Sequence, residues 1–482
     1  MSSEVKPFPR TFWWANVTEL FERAAYYSMA SFVVLYLGQL GLGEYWPSTL
    51  NGLLWTLVYF LPILSGTIAD QVGFKRSLLV AFVLLMLGYF AMGYPVWFGG
   101  QTLNDAVDRE VTAGAGVIVP VLLAIVLIGV GGSVIKPCIS GTVQKTAMGR
   151  ATLAFAIFYM VINIGSLVGR GISYFVRTNT DLSFIFAVAS GCAVVAFFSV
   201  LVFFQDPEKL PGYAAPPPKP KRSVARILLD MVLVLKNIRF ALFLLVSSGF
   251  FFLYNQVYNI LPLYLKKVLE ADPAVDIYTM ANPIVIVGFQ LLITRAFGKM
   301  KPISSIIVGI IIISLSMVIN ILPIAMAGGV RGSVLDWIPI GSLFIVMTVA
   351  LVAFGELFAS ARSYEYIGAL APKGQEGLFL GYANLPMAIG SLIGGPAGAA
   401  IFYNIMCAGA TEVPILGADG TPLLDAKGNA RVLLDLDPTA NATGWVLLMG
   451  IGLFSALSMV LYNRWLRRQI EKDEAAAKEQ GG

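Results

Sequence analysis

Apolar residues run along this 482-residue chain in stretches of about 20, separated by short charged or Gly- and Pro-rich segments. An α-helix of that length crosses the ~30 Å hydrocarbon core of a bilayer. The pattern therefore predicts an all-α membrane protein with about twelve transmembrane spans. We place these spans near residues 11–40, 48–69, 77–97, 115–140, 151–176, 182–204, 237–265, 277–297, 303–327, 338–364, 376–405 and 444–466.

A polar segment between the sixth and seventh spans divides the chain into two halves. This segment, Gln205–Arg226, contains three consecutive prolines, Pro216–Pro218, and several cations. Proline favours extended backbone and the cations can face anionic lipid, so we predict a cytoplasmic linker. The predicted domains are an N-terminal six-helix bundle at 1–204, a linker that could hold an interfacial helix at 205–236, a C-terminal six-helix bundle at 237–466 and a cytoplasmic tail at 467–482.

Composition supports the membrane assignment. The chain is 57% hydrophobic and 13% charged, whereas soluble domains carry about 25% charged residues. The net charge of +5 does not indicate a nucleic-acid partner, because the charges flank the spans. Three cysteines, Cys138, Cys192 and Cys407, lie in or beside apolar segments without paired spacing, so neither a disulfide framework nor a metal site is expected. The first apolar stretch is too long and too charged for a cleaved signal peptide and is expected to stay in the membrane.

The distribution of lysine and arginine predicts the topology. With the N-terminus inside, the inner segments hold about three times as many of these residues as the outer loops. Both termini are therefore predicted to be cytoplasmic, in a multi-pass protein of the cell (plasma or inner) membrane. We expect a monomer surrounded by lipid.

The loop after the second span contains a motif of glycines and charges, Gly66-x-x-x-Asp70-x-x-Gly73-x-Lys75-Arg76. Its glycines permit a tight reversal and close helix approach, while the acid and the bases can pair at a helix end. The motif resembles the major facilitator signature between the second and third helices. That resemblance implies the major facilitator fold, in which two six-helix halves rock around a central site.

Ionisable residues inside the spans are few, and five polar residues of the first span share one helix face. Glu19, Glu22, Arg23, Tyr26 and Tyr27 are spaced i, i+3, i+4, i+7 and i+8. A buried charge costs at least ~2.5–3.5 kcal/mol on insertion scales, so such a stripe should face a cavity or another helix. The alternative is a structural Glu19–Arg23 ion pair, which leaves the second glutamate and the tyrosines unexplained.

This stripe is similar to the first-helix motif of the proton-dependent oligopeptide transporter family, and other segments match the same family: Gly132–Cys138, Phe158–Ser166, Asn282-Pro283 and Gly355–Leu357. The resemblance implies that Arg23 and Lys136 hold a substrate carboxylate. It also implies that Glu356, from the second half, holds an ammonium group. The residues implied to contact the peptide backbone are Tyr26, Tyr27, Tyr59, Asn163 and Asn282.

Several of these residues have a simpler interpretation. Lys136 could extend from a helix end towards the inner surface. Asn163 and Asn282 could provide hydrogen bonds between helices, and Tyr59 could be a packing residue. Arg362 and Glu365 lie near the inner end of the tenth span, where a gate or a local pair is more consistent with their position than substrate binding.

One departure from the family concerns the outer gate. Many members carry an arginine three residues after the tyrosine pair and an acid on the seventh span, and these two pair outside the site. Here the corresponding positions are Ala30 and Tyr254–Gln256. Both partners are missing together, which avoids a stranded buried charge costing ~3–5 kcal/mol.

The expected function is proton-coupled symport of di- and tripeptides by alternating access, with the proton gradient as driving force and no cofactor. Because the chain has no histidine, buried carboxylates are left as proton carriers, and we assign Glu19, Glu22 and Glu356 to this role. The alternatives are a carrier of the same fold for another small anionic or zwitterionic solute (nitrate, an amino acid conjugate or a drug-like compound) and a uniporter. An enzyme or receptor is not expected, since the sequence contains no nucleophile–base set, phosphate loop or metal cluster.

Overall fold

The computed structural model describes residues 7–105, 107–210, 223–326, 328–333, 338–370, 382–417, 419–425 and 428–480. Helices dominate both halves. The N-terminal half contains α1 (Arg10–Met29), α2 (Val33–Gln39), α3 (Trp46–Phe60), α4 (Pro62–Val72), α5 (Phe74–Trp97), α6 (Ala115–Lys145), α7 (Ala151–Asn179) and α8 (Phe184–Phe203).

The second half follows α9 (Val224–Leu235), a helix inside the predicted linker, whose residues 211–222 lie outside the described part of the chain. Its helices are α10 (Ile238–Asn255), α11 (Ile260–Tyr264), α12 (Val275–Thr279), α13 (Ala281–Phe297), α14 (Pro302–Val318), α15 (Ile340–Leu370), α16 (Leu385–Ala400) and α17 (Pro438–Gln480). The predicted start of the eleventh span falls among the residues 371–381 that are not described.

Two predicted spans of the first half are broken helices. The first divides into α1 and α2 because the turn at 30–32 tightens, with the amide of Phe32 donating to the carbonyl of Met29. The second divides into α3 and α4, which are bent by 42° around Leu61. Pro62 explains this bend, since proline lacks an amide hydrogen and disfavours helical geometry in the residue before it.

Ten described helices are long and apolar enough to cross a membrane, and the bent pair α3–α4 makes eleven. The remaining span is α1, whose polar stripe lowers its hydrophobicity. The expectation of about twelve membrane helices is therefore confirmed, and the chain is a multi-pass membrane protein.

Each half is held together by packing between long helices. In the first half α1 packs on α7 and α8, and α5 packs on α6 and α8. In the second half α14 packs on α15 and α17, and α10 packs on α16 and α17. We call the end of the bundle that holds Arg10 and the α4–α5 turn the near face, and the opposite end the distal face.

Helices α3 and α16 join the halves through glycines. A Cβ atom added at Gly52 would lie 2.5 Å from the carbonyl oxygen of Ser391, and one added at Gly395 would lie 2.3 Å from that of Ser48. Side chains at these positions would separate the helices. The halves are therefore in backbone contact along this seam.

The segment between α16 and α17 contains an antiparallel hairpin of β1 (Thr411–Pro414) and β2 (Val432–Asp435), with Thr411 opposite Asp435. The hairpin lies on the distal face, where Arg331 donates to the carbonyl of Leu434 at 2.7 Å.

Candidate functional site

Three charged side chains of α1 form a buried cluster. Glu19, Glu22 and Arg23 expose 1%, 1% and 8% of their surface. Nε of Arg23 lies 3.3 Å from Oε1 of Glu19 and also donates to Oε2 of Glu22. The Glu19–Arg23 ion pair therefore exists, but the arginine is shared by two carboxylates. Neither oxygen of Glu19 accepts a hydrogen bond from the residues that the structure describes.

Aromatic residues from both halves continue this surface and form what we call the aromatic wall: Tyr26, Tyr27, Trp55, Tyr59 and Tyr258. The guanidinium of Arg23 lies 5.3 Å from the ring centroid of Tyr26. The ring of Trp55 is central, with centroids 5.7 Å from Tyr26, 5.6 Å from Tyr59 and 4.7 Å from Tyr258. Tyr59 is thus placed beside the stripe, packed on Trp55.

Lys136 lies within α6, away from both ends of the helix. About 13 Å of helix separates it from the end of α6 at Lys145. This distance is too long for Lys136 to be a helix-end lysine whose ammonium group extends to the membrane surface. The side chain is partly exposed. Lys136 is close enough to Glu19 and Glu356 for its charge to act on the carboxylates of both halves.

The second half contributes Glu356 of α15. Oε2 of Glu356 is 3.5 Å from the amide nitrogen of Asn282 on α13, and the hydroxyl of Tyr254 on α10 also hydrogen-bonds this carboxylate. Asn282 therefore forms a hydrogen bond between α13 and α15, as its simpler interpretation requires. Its partner in this bond is Glu356, the acid that the second half contributes to the site.

Asn163 is bound to its own helix. Its amide nitrogen donates to the carbonyl of Tyr159 at 2.9 Å, and its side chain is 5% exposed. This described hydrogen bond lies within α7, so it is not the interhelical bond that the simpler interpretation proposes.

The loop motif forms the reversal between α4 and α5. Gly73 has φ of +98°, a conformation that suits glycine. A Cβ atom added at Gly66 would lie 3.2 Å from Cβ of Pro137, so α4 and α6 are close here. Asp206, outside the motif, accepts a 2.8 Å hydrogen bond from the amide of Lys75 at the start of α5. Asp70 and Arg76 are exposed on this face.

Arg362 and Glu365 form a local pair. Nη1 of Arg362 lies 2.6 Å from Oε2 of Glu365, and Nη2 donates to the carbonyl of Gly298 at 2.8 Å. The arginine therefore holds the end of α13 against α15. These contacts correspond to the local-pair interpretation of the two residues.

A set of contacts that sequence reasoning missed closes the distal end of the site. Nη2 of Arg177 on α7 lies 3.2 Å from Oδ1 of Asp276 on α12. The hydroxyls of Ser31 and Thr279 are 3.2 Å apart, and the amide of Asn51 donates to Oδ1 of Asn259 at 3.1 Å. Each contact links the two halves.

A second missed set, which we call the distal clamp, consists of Asp105, Lys266, Asp272 and Arg431. Arg431, next to β2, lies 2.7 Å from Oδ2 of Asp105 and 2.8 Å from Oδ1 of Asp272. Lys266 lies 3.2 Å from both aspartates. Since Asp105 belongs to the first half, the clamp ties the hairpin of the second half to the first.

Arg170 on α7 and Tyr254 and Tyr258 near the end of α10 are the other missed residues. The arginine is visible in the sequence as a charge inside a span, but its partners lie on distant helices. The two tyrosines have a weak sequence signal, since their i, i+4 spacing places them on one helix face.

Comparison with known proteins establishes the family. Residues 111–394, more than half of the chain, match the Major Facilitator Superfamily. The chain belongs to this superfamily. Its family and fold are those of transport proteins rather than enzymes.

Individual proteins with similar sequences support the resemblance to the oligopeptide transporters. The chain is 31% identical over 208 residues to "Peptide transporter family 1" of Drosophila melanogaster, covering 41% of this chain and 26% of that protein. It is 29% identical over 202 residues to "Dipeptide and tripeptide permease B" of Aliivibrio fischeri (strain MJ11), covering 41% and 36%. The matches thus span less than two fifths of these relatives' lengths.

The whole fold matches solved transporters. The crystal structure of a peptide transporter POT in complex with alafosfalin superposes with a TM-score of 0.71 at 18% identity, covering 95% of each chain. The expected major facilitator fold is confirmed by this likeness.

Proposed function

We propose that this superfamily member is a secondary active transporter that carries di- and tripeptides together with protons by alternating access. The observation that carries the proposal is the distribution of charge across the site. Arg23 and Lys136 come from one half and Glu356 from the other, and Lys136 lies within electrostatic reach of the opposing acid.

This arrangement suits a zwitterion. A dipeptide extends over about 7 Å and carries a carboxylate at one end and an ammonium group at the other. Arg23 and Lys136 would bind the carboxylate and Glu356 the ammonium group. The residues proposed to contact the peptide between them are Tyr26, Tyr27, Tyr59, Asn163 and Asn282.

A ligand that bridges both halves favours the state in which they are closest, which is what alternating access requires. The distal contacts of Arg177 and of the distal clamp hold that end shut. We assign the distal face to the outside of the cell membrane because the near face carries most of the lysines and arginines. On this assignment the outer end is closed, and we expect the transporter to act as a monomer in lipid. The loop motif, Gly66, Asp70, Gly73, Lys75 and Arg76, would act as a hinge on the near face, and Arg362 with Glu365 would anchor α13 there.

Proton coupling is assigned to buried carboxylates, since the chain has no histidine. Glu19 and Glu22 share Arg23 as a partner. Protonation of this pair would release Arg23 to bind the substrate carboxylate. Glu356 would respond in the same way when it exchanges a proton for the substrate ammonium group.

The test is uptake of labelled dialanine into proteoliposomes under an imposed pH gradient. The proposal expects accumulation that a protonophore abolishes. Uptake that ignores the gradient would indicate a uniporter, and no uptake or competition by dipeptides would indicate a different solute.

Lys136→Ala is the informative variant, with Lys145→Ala as its matched control on the same helix. Lys145 pairs with Glu208 at 2.8 Å on the near face, away from the site. We expect Lys136→Ala to raise the KM for dialanine at least tenfold, as loss of a charged hydrogen bond of about 1.5–3 kcal/mol requires, and Lys145→Ala to leave it within about threefold. Equal effects of the two substitutions would contradict the assignment of Lys136.

A further inference from the structure

Arg170 is a fully buried cation with neutral partners. The side chain is 0% exposed. Its Nε donates to the hydroxyl of Thr279 at 3.0 Å, its Nη2 lies 3.4 Å from the hydroxyl of Tyr258, and its Nη1 donates to the hydroxyl of Ser166. The guanidinium also lies 4.6 Å from the ring centroid of Tyr27. Among the described residues no carboxylate forms an ion pair with it.

These partners divide between the halves. Ser166 and Tyr27 belong to the first half together with Arg170 itself, whereas Thr279 and Tyr258 belong to the second. Separation of the halves at the distal face would remove both partners of the second half at once. The guanidinium would remain on α7 with two of its N–H directions unoccupied, and a buried cation that loses hydrogen bonds has to find others.

The place that Arg170 would then occupy is the distal entrance to the site. Its neighbour Tyr27 follows Arg23 by one turn on α1, and its partner Tyr258 packs on Trp55 at 4.7 Å in the aromatic wall. A solute that enters from the distal face would meet this guanidinium before it reaches Arg23. The planar guanidinium presents paired N–H donors that match the two oxygens of a carboxylate.

We propose that Arg170 is a carboxylate-binding site of the distally open state, which receives the incoming solute before Arg23 and Lys136 take over its carboxylate. When the distal face closes, Arg170 again hydrogen-bonds Thr279 and Tyr258, and the solute carboxylate stays bound to Arg23 and Lys136. This proposal rests on the proposed transport function, and it adds a residue and a step to that function.

The test compares dialanine with dialanine amide, which lacks the carboxylate, added on the distal side of oriented proteoliposomes. Competition against labelled dialanine is measured for the wild type, Arg170→Gln and Arg170→Lys. In Arg170→Gln the apparent affinity for dialanine should fall about tenfold or more, while that for the amide changes less than about threefold. The apparent affinity of Arg170→Lys for dialanine should lie between those of the wild type and Arg170→Gln, since an ammonium group keeps the charge but not the paired donors.

Arg177→Gln is the matched control, seven residues further along the same face of α7. It removes a distal cation that has an acidic partner, so it should change the affinity for the two solutes by the same factor. The affinity for dialanine measured from the near side should be the same for wild type and Arg170→Gln, because opening of the near face leaves Arg170 buried.

The two proposals fail separately. Dialanine uptake by the wild type that ignores the pH gradient rejects the proposed coupling. Equal losses for dialanine and its amide in Arg170→Gln, or an unchanged affinity for both, reject the Arg170 site. If Arg170→Gln does not purify as a monodisperse protein, Arg170→Lys decides the question by the same comparison.

Discussion

Arg177 and Asp276 form an ion pair that joins α7 of the first half to α12 of the second, with Nη2 and Oδ1 3.2 Å apart. The aspartate side chain is 1% exposed and the arginine side chain 15%. The sequence lacks the family's usual arginine and acid on the first and seventh spans, whereas this pair joins the fifth and eighth. Closure of the distal face in this structure therefore uses a different pair of helices.

Removal of one partner should open the distal face. Arg177→Ala leaves Asp276 buried and unpaired, and such changes cost about 3–5 kcal/mol. We expect the distance between spin labels at Thr180→Cys and Thr411→Cys, both exposed distal positions, to shift to longer values. The background would lack the three free cysteines, Cys138, Cys192 and Cys407. An exchange of the two charges, Arg177→Asp with Asp276→Arg, should restore part of the short-distance population, and an unchanged distribution in Arg177→Ala would contradict this role.

Glu22→Gln should separate proton coupling from binding. The amide keeps the size of the side chain but cannot take up a proton, so pH-driven accumulation of dialanine should fall at least tenfold, while exchange of internal for external dialanine stays within about threefold. Both are measured in the same proteoliposomes. Accumulation that persists in this variant would remove Glu22 from the coupling mechanism.

The glycine seam predicts a steric effect on closure. In Gly395→Ala the new Cβ would lie 2.3 Å from the carbonyl oxygen of Ser48, so α3 and α16 must separate. Overpacking of this kind costs about 1–3 kcal/mol, and we expect the distal label distance to lengthen and uptake to slow several-fold. Gly450→Ala on α17 is the control, because a Cβ there meets no heavy atom within 4 Å. Similar behaviour of the two alanine variants would show that the seam does not limit closure.

The distal clamp should be insensitive to pH across the physiological range. Partial burial of Asp272 opposes its ionisation, but the hydrogen bond from Arg431 and the charges of Lys266 and Arg431 outweigh it, so the pKa of Asp272 lies below its ordinary value. A lowered pKa means that the carboxylate stabilises the closed clamp above its ordinary pKa of about 3.9 and loses this effect only as pH falls through the lower value. Label distances should therefore be constant from about pH 5 to pH 8, and Arg431→Ala should lengthen them throughout. A clamp that opens between pH 7 and pH 5 would contradict this assignment.

The parts of the site that could be predicted from sequence are those encoded by local spacing. The stripe Glu19–Tyr27 follows from helical periodicity, and Lys136 and Glu356 stand out as charges inside apolar spans. The structure brings these residues into one region. Their roles in substrate binding and proton transfer are still predictions.

What could not be predicted depends on contacts between distant segments. The surroundings of Arg170 could not be predicted, because its partners Thr279 and Tyr258 lie 109 and 88 residues away in sequence. The distal clamp joins Asp105 to a hairpin more than 300 residues later, and no local pattern marks such a pair. The break of the first span at 30–32 was missed because its sequence remains apolar there.

The polar face of α1 has a consequence for how the chain is made. Each of Glu19, Glu22 and Arg23 costs about 2.5–3.5 kcal/mol at the centre of a bilayer, so this segment gains little from lipid alone. Its natural surroundings are α7 and α8, against which it packs. We therefore expect the segment to be sheltered during synthesis, by the insertion machinery or by a chaperone, until roughly the first 200 residues have emerged and α7 and α8 can pack against it.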